Sequence, residues 1–119
     1  MEMVGTTRTP EVKINSSSCA IKGECYPEDI SEFSGPVMEA LRDNLNSSDS
    51  FTVTVELYYF NSSSAKFLFD FFEYLDKTGK EKQIQIIWKY RTEDDAMEEA
   101  GSEFEEDMEN VSFSLEAII

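Results

Sequence analysis

The stretch Phe51-Thr52-Val53-Thr54-Val55-Glu56-Leu57-Tyr58-Tyr59-Phe60-Asn61-Ser62-Ser63-Ser64-Ala65-Lys66 changes its period in mid-course. Up to Phe60 the apolar residues Phe51, Val53, Val55 and Leu57 alternate with threonines and Glu56. β-Branched residues at period two form a strand with one buried face. Asn61-Ser62-Ser63-Ser64 then offers four residues that all suit a helix N-cap, because a short polar side chain can accept from a free first-turn amide. From Ala65 to Asp76, Leu68, Phe69, Phe72 and Leu75 recur at helical spacing, and Thr78-Gly79 closes the run. A strand feeding directly into a helix is the first half of a β-α-β unit, so an α/β fold is expected.

Working outward, Gln83 to Tyr90 reads as a strand centred on Ile84, Ile86, Ile87 and Trp88. Glu93 to Glu109 reads as a helix with Met97, Ala100, Phe104 and Met108 on one stripe, and Val111 to Leu115 as a last short strand. Upstream, Val37, Met38, Leu41 and Leu45 predict a helix over Ser34 to Asn46. Glu11 to Ile14 and Cys19 to Gly23, around the turn residues Asn15 to Ser18, predict an antiparallel hairpin. Residues 1–8 are small and polar and are expected to form a flexible tail, leaving 9–119 as one domain. Each late connection is long enough for a right-handed crossover, so a mixed sheet flanked by about three helices follows.

Charge and composition exclude whole classes of function. Ten Lys and Arg against twenty-five Asp and Glu give a formal charge of -15, which repels a nucleic-acid backbone from most faces. Histidine is absent, which removes imidazole bases, imidazole metal ligands and every nucleophile pair that needs one. The two cysteines, Cys19 and Cys25, lie outside any CxxC spacing and read as reduced thiols. No run approaches the roughly 18 apolar residues of a membrane span, and Met1 to Pro10 lacks a signal-peptide core, so a soluble cytoplasmic protein is expected. No glycine-rich phosphate loop follows a strand, and no cofactor is expected.

Two segments carry chemistry. Glu93 to Glu109 holds ten acidic residues and no basic one. The acids sit between apolar positions rather than at the spacing of a calcium loop, so a solvated helix face without a metal site is expected, with docking of a basic partner as the alternative. The second segment is the serine turn. A phosphate there would face first-turn amides and the positive end of the helix dipole, with Lys66 one turn from Ser62, so modification is electrostatically tolerated. The following helix also carries more apolar surface than a core needs: Ala65, Phe67, Leu68, Phe69, Phe71, Phe72, Tyr74 and Leu75 cover roughly 220° of arc, against roughly 100° for one buried face. The excess is expected either to be covered by neighbouring helices or the sheet rim, or to form a partner-docking face beside the serine turn.

The segment from Tyr59 to Lys66, the early Thr9-Pro10-Glu11, the Gly23-Glu24-Cys25-Tyr26-Pro27-Glu28 stretch and the Ala100-Gly101-Ser102-Glu103-Phe104-Glu105-Glu106-Asp107 ending resemble the bacterial SiaC-type regulatory phosphoproteins. The likeness runs from Thr9 to Leu115. It implies a fold similar to STAS domains, the anti-sigma-factor antagonists. It implies a non-enzymatic switch set by a partner kinase and reset by a partner phosphatase acting on one hydroxyl after Tyr-Phe-Asn. The unmodified form is expected to bind an effector, a diguanylate cyclase in cyclic-di-GMP signalling. Carried over, the switch residue is Ser62; the family position is usually threonine, so Ser63 and Ser64 stand as rivals. Around it Tyr59, Asn61, Lys66, Phe67, Phe71 and Tyr74 are expected to meet partners. Two other classes are set against this one: a small enzyme using carboxylates or a metal, and an inert acidic docking module.

Overall fold

All residues, 1–119, are described in the computed structural model. In chain order they form β1 (Glu2–Met3), β2 (Glu11–Ile14), β3 (Ser18–Cys25), α1 (Ile30–Leu45), β4 (Ser50–Phe60), α2 (Ser62–Thr78), β5 (Gln83–Arg91), α3 (Asp95–Glu106) and β6 (Ser112–Ile118). The six strands make one sheet in sequence order. β1, β2 and β3 pair antiparallel, whereas β3, β4, β5 and β6 pair parallel. This is the mixed sheet with three helices expected from the alternating periods.

Each helix links neighbouring parallel strands, and all three connections step the same way across the sheet, so right-handed crossovers place every helix on one face. Burial follows. Phe51, Val53, Val55 and Leu57 of β4 and Ile84, Ile86, Trp88 and Tyr90 of β5 are buried, while Thr52, Thr54 and Glu56 between them face the open side. On that open face Arg91 stacks on the Tyr58 ring, 3.9 Å from its centroid. Cys19 and Cys25 both point into the core as free thiols. Six residue steps along the strand separate them by roughly 20 Å, far beyond disulfide reach.

The structure departs from the expected boundaries at several places, α2 starting at Ser62 rather than Ala65 and β3 running on to Cys25 among them. Residues 1–8 do not all run free: Glu2 and Met3 pair with Lys13 and Val12, and the Met1 ammonium donates to the Ile14 carbonyl at 2.7 Å. α1 begins at Ile30 rather than Ser34 and runs through Pro36. It can do so because Asp29 caps it, accepting from the Ser31 amide at 3.0 Å, and because Phe33 is already in the core. The Ser31 hydroxyl and amide hold the Asp29 carboxyl below its usual range. At the other end of α1, the Lys82 ammonium donates to the carbonyls of Leu45 and Ser48, satisfying groups a helix terminus leaves open. α3 spans Asp95–Glu106 rather than Glu93 to Glu109, because Asp94 is its cap and the Asp76 carboxylate takes the amides of Glu109 and Asn110 at 2.9 and 2.8 Å. β6 therefore starts at Ser112 and extends to Ile118 rather than Leu115.

Candidate switch site and the adjoining groove

β4 delivers the chain to the site with a change of register. Opposite Tyr58 the β3 ladder slips between Gly23 and Glu24, and Gly23 has a φ of 134°, a conformation that suits glycine. The slip re-aims two aromatic rings. Tyr59 turns outward, 49% exposed, edge-on to Tyr26 at 5.6 Å, and Phe60 turns back toward Trp88 at 6.3 Å.

Asn61 then closes the first turn of α2. Its Oδ1 accepts from the Ser64 amide at 3.0 Å, its carbonyl accepts from Ala65 at 2.9 Å, and its own amide donates to the Cys25 carbonyl at 3.2 Å. The cap is thus the asparagine, one of four residues that suited the task by sequence. The amides of Ser62 and Ser63 have no intrahelical carbonyl to meet and lie at the positive end of the dipole.

The three serines are not equivalent. Ser62 and Ser63 are exposed, whereas Ser64 has no exposed surface and its hydroxyl has no hydrogen-bond partner. Ser64 Oγ lies toward the Cys25 thiol without reaching hydrogen-bond geometry; burial pushes that thiol up, and the nearby hydroxyl partly opposes the shift. An unpaired buried hydroxyl costs roughly 1–3 kcal/mol of desolvation. Ser64→Ala is therefore expected to leave the fold intact and to raise its stability by up to about 1 kcal/mol after a small cavity is discounted. Urea denaturation checks this: a loss of more than about 1 kcal/mol means the hydroxyl is paired.

The residues expected to meet partners divide into groups. Tyr59 and Lys66 are at the surface near Ser62, and Asn61 is half-buried as the cap. Phe67 and Phe71 are in the core and cannot present a docking face: Phe67 meets Phe33 of α1 edge-on at 5.6 Å, and Phe71 is fully buried. Tyr74 is half-buried on the α1 side beneath the Arg42 guanidinium, 5.6 Å above its ring. α1 covers one flank of the broad apolar arc of α2, and α3 lies along the other, where Phe72 and Phe104 pack at 5.0 Å.

The cover on the α3 flank is incomplete. Phe69 stays 47% exposed, and beside it run two adjoining hollows of about 260 and 450 Å³ that share Phe69, Phe104 and Asp107. The hollow nearer the serine turn is lined by Phe60, Ala65, Lys66 and Ala100, the farther one by Phe72 and Met108. At about 100° per residue Ser62, Ala65, Lys66, Phe69, Glu73 and Asp76 fall within about 100° of arc and form a single stripe of α2. Ser62 heads this stripe one turn before Ala65 and Lys66, the first of its residues to line the groove, and Ser63 is about a quarter-turn away. In the sequence, Phe104 and Met108 read only as a core stripe, and the groove appears only when both helices are placed.

No three Cys, Asp or Glu side chains converge to hold a metal ion, although α3 is acidic along its exposed face. No helix is long and apolar enough to cross a membrane.

A search of curated proteins gives no match. Among solved structures, apo-SiaC from Pseudomonas aeruginosa superposes with a TM-score of 0.88 at 25% identity, covering 98% of each chain. A chain from the crystal structure of the P. aeruginosa diguanylate cyclase SiaD in complex with its activator SiaC superposes at 0.86 with 23% identity, covering 98% of this chain and 99% of that one, a likeness of fold. The family model described as SiaC family regulatory phosphoprotein matches residues 3–118. With all but the two first residues and the last inside that match, the chain belongs to the SiaC family of regulatory phosphoproteins.

Proposed function

We propose that this chain is a cytoplasmic, non-enzymatic switch: unmodified, it binds and activates an effector of the diguanylate cyclase class, and phosphorylation of Ser62 releases that effector. A partner kinase and a partner phosphatase set the state. The SiaC whose structure was solved with SiaD is described as that cyclase's activator, which supports an effector of this class here. The observation that carries the assignment of Ser62 is its place: exposed, at the N-terminus of α2, and one turn before Ala65 and Lys66, which line the groove. Ser64 is buried and is out of reach of a kinase without local unfolding. A phosphate on Ser62 adds about -1.5 to -2 charges with a tightly held hydration shell, in reach of Lys66 and at the mouth of an apolar surface.

Three variants test this. Ser62→Asp is expected to weaken binding to the cyclase at least about tenfold, or about 1.4 kcal/mol, with a full phosphate weakening it further. The melting temperature should hold or rise slightly, since a carboxylate near the first turn gains roughly 0.3–1 kcal/mol from the dipole. Ser62→Ala should bind as the parent does and no longer respond to the kinase, and Ser63→Ala should change neither property. Peptide mass mapping after kinase treatment completes the test. Phosphate found only at residues other than Ser62, or undiminished binding by Ser62→Asp, overturns the assignment.

A further inference from the structure

We infer that the open face of the sheet is a self-association surface, on which a second copy of this chain packs face to face in a two-fold dimer. The inference does not draw on the switch reading, since both helical layers stay outward. Parallel strands normally have both faces covered, yet β3 to β6 carry all three helices on one side and nothing on the other. Across that bare side Ala20, Thr54, Ile87 and Ser114 stand level on four strands, short and uncharged, with Thr54 and Ile87 half-buried. Charge selects the occupant. Four of the ten basic residues, Lys13, Lys22, Lys89 and Arg91, share this face with five glutamates, so it is close to neutral although the chain carries -15. The helical side holds nearly all of that excess and repels a second copy, whereas the open face does not.

The charges also fix a register. Lys22 of β3, Glu56 of β4, Lys89 of β5 and Glu116 of β6 are neighbours in one row of alternating sign, and the Lys22 ammonium lies 3.7 Å from the Glu56 carboxylate. A two-fold axis parallel to the strands, between β4 and β5, reverses the strand order and keeps the row level. It sets Glu56 over the second copy's Lys89 and Lys22 over the second copy's Glu116, each pair occurring twice, with no like charges opposed in the row. The same operation lays Thr54 on the second copy's Ile87. Aligned sheets pack about 10 Å apart and cross at about -30°, so the match is closest at the centre, where Glu56 and Lys89 lie. Four strands and about seven residues along each give a face of about 20 by 23 Å. With the relief of the side chains, two such faces bury close to the roughly 1,200 Å² at the lower end of stable interfaces, which sets a dimer of micromolar strength. The exposed ion pairs add little to that affinity and chiefly specify the register.

Sedimentation velocity of the full chain from about 1 to about 300 μM reads the mass, at about 150 mM salt so that repulsion between the helical layers is screened beyond about 8 Å. A rise from 13.6 kDa toward twice that value supports the dimer, and a mass that stays at 13.6 kDa throughout overturns it. Lys89→Glu and Glu56→Lys each oppose like charges twice at the centre and are expected to weaken self-association about tenfold or more. An equimolar mixture of the two restores every pairing across the interface and should dimerise as the parent does. Variants that dimerise as readily as the parent, or a mixture no better than its components, overturn the register and with it the proposal. Trp88 fluorescence and melting establish that each variant is folded; should Glu56→Lys lose the fold, Lys22→Glu mixed with Glu116→Lys makes the same comparison on the outer pair of the row. Thr54→Arg, which puts a bulky cation beneath the second copy's Ile87, is expected to leave a monomer over the whole concentration range. A dimer that survives Thr54→Arg is built on another surface and overturns the assignment of the open face.

Discussion

Gly101→Ala is expected to destabilise the domain by about 2–3 kcal/mol, although alanine is the better helix former by about 1 kcal/mol. A methyl on Gly101 would lie 2.4 Å from Cδ1 and 2.7 Å from Nε1 of Trp88. The indole has nowhere to retreat: it is fully buried, its Nε1 donates to the Met97 carbonyl at 2.9 Å, and Phe104, Phe72 and Phe60 pack around it at 5.5, 6.1 and 6.3 Å. Two escapes remain. If the ring turns, a buried donor is left unpaired at a cost of roughly 1–3 kcal/mol. If α3 lifts, the contact between Phe72 and Phe104 opens and the floor of the groove changes. Trp88 is the only tryptophan, so urea denaturation followed by its fluorescence reads both the stability and the local packing. An unchanged midpoint with unchanged emission would show that α3 is not seated on the indole.

Above about pH 9 the domain is expected to lose stability steadily. Burial pushes the Cys19 thiol from its ordinary 9.0 up to about 12 and pushes Cys25 up as well. A group whose pKa is higher in the folded state keeps its proton there after the unfolded chain has released it. The native state therefore binds more protons between pH 9 and 12, and its stability, complete below pH 9, falls as pH rises, on the order of 1 kcal/mol per pH unit for each such thiol. Tyr58 shifts in the same sense, chiefly through its hydrogen bond to the Glu56 carboxylate. Urea midpoints at pH 7.5, 9 and 10.5 should be flat over the first interval and fall over the second, and Cys19→Ala should reduce the fall. Both thiols should resist an aromatic disulfide reagent until the domain unfolds. A midpoint that holds to pH 10.5 would show that the thiols are not in the core.

The fold was legible because period two and period 3.6 alternate cleanly from Glu11 onward, and few arrangements of such elements keep their connections short and right-handed. Boundaries were less so. Gly35-Pro36 reads as a helix breaker, yet the exposed proline forgoes a single bond while Phe33 and the Asp29 cap hold the preceding turn. A two-residue strand such as Glu2–Met3 has no period to read. At the site, the sequence located the turn but could not rank four adjacent polar residues, since which serine is buried depends on where Cys25 of a distant strand ends. It showed that α2 has a surplus of apolar arc but not which flank stays open. That depends on how far α1 and α3 reach around it, which is why Phe67 and Phe71 are covered and Phe69 is not.

The cap supplied by Asn61 separates two kinds of selection. Because an asparagine side chain and the Cys25 carbonyl hold the first turn of α2, the hydroxyl at position 62 has no part in starting the helix. Its chemistry can change between serine and threonine with little effect on folding, so under the proposed switch it is free to suit the modifying enzymes. Loss of the asparagine cap, by contrast, costs roughly 0.5–2 kcal/mol wherever the switch stands. Under the proposed switch, a modification at Ser62 would be written and erased on a helix that stays folded through every cycle, so the turnover of the signal would be limited by the proposed kinase and phosphatase and not by refolding of the domain that carries it.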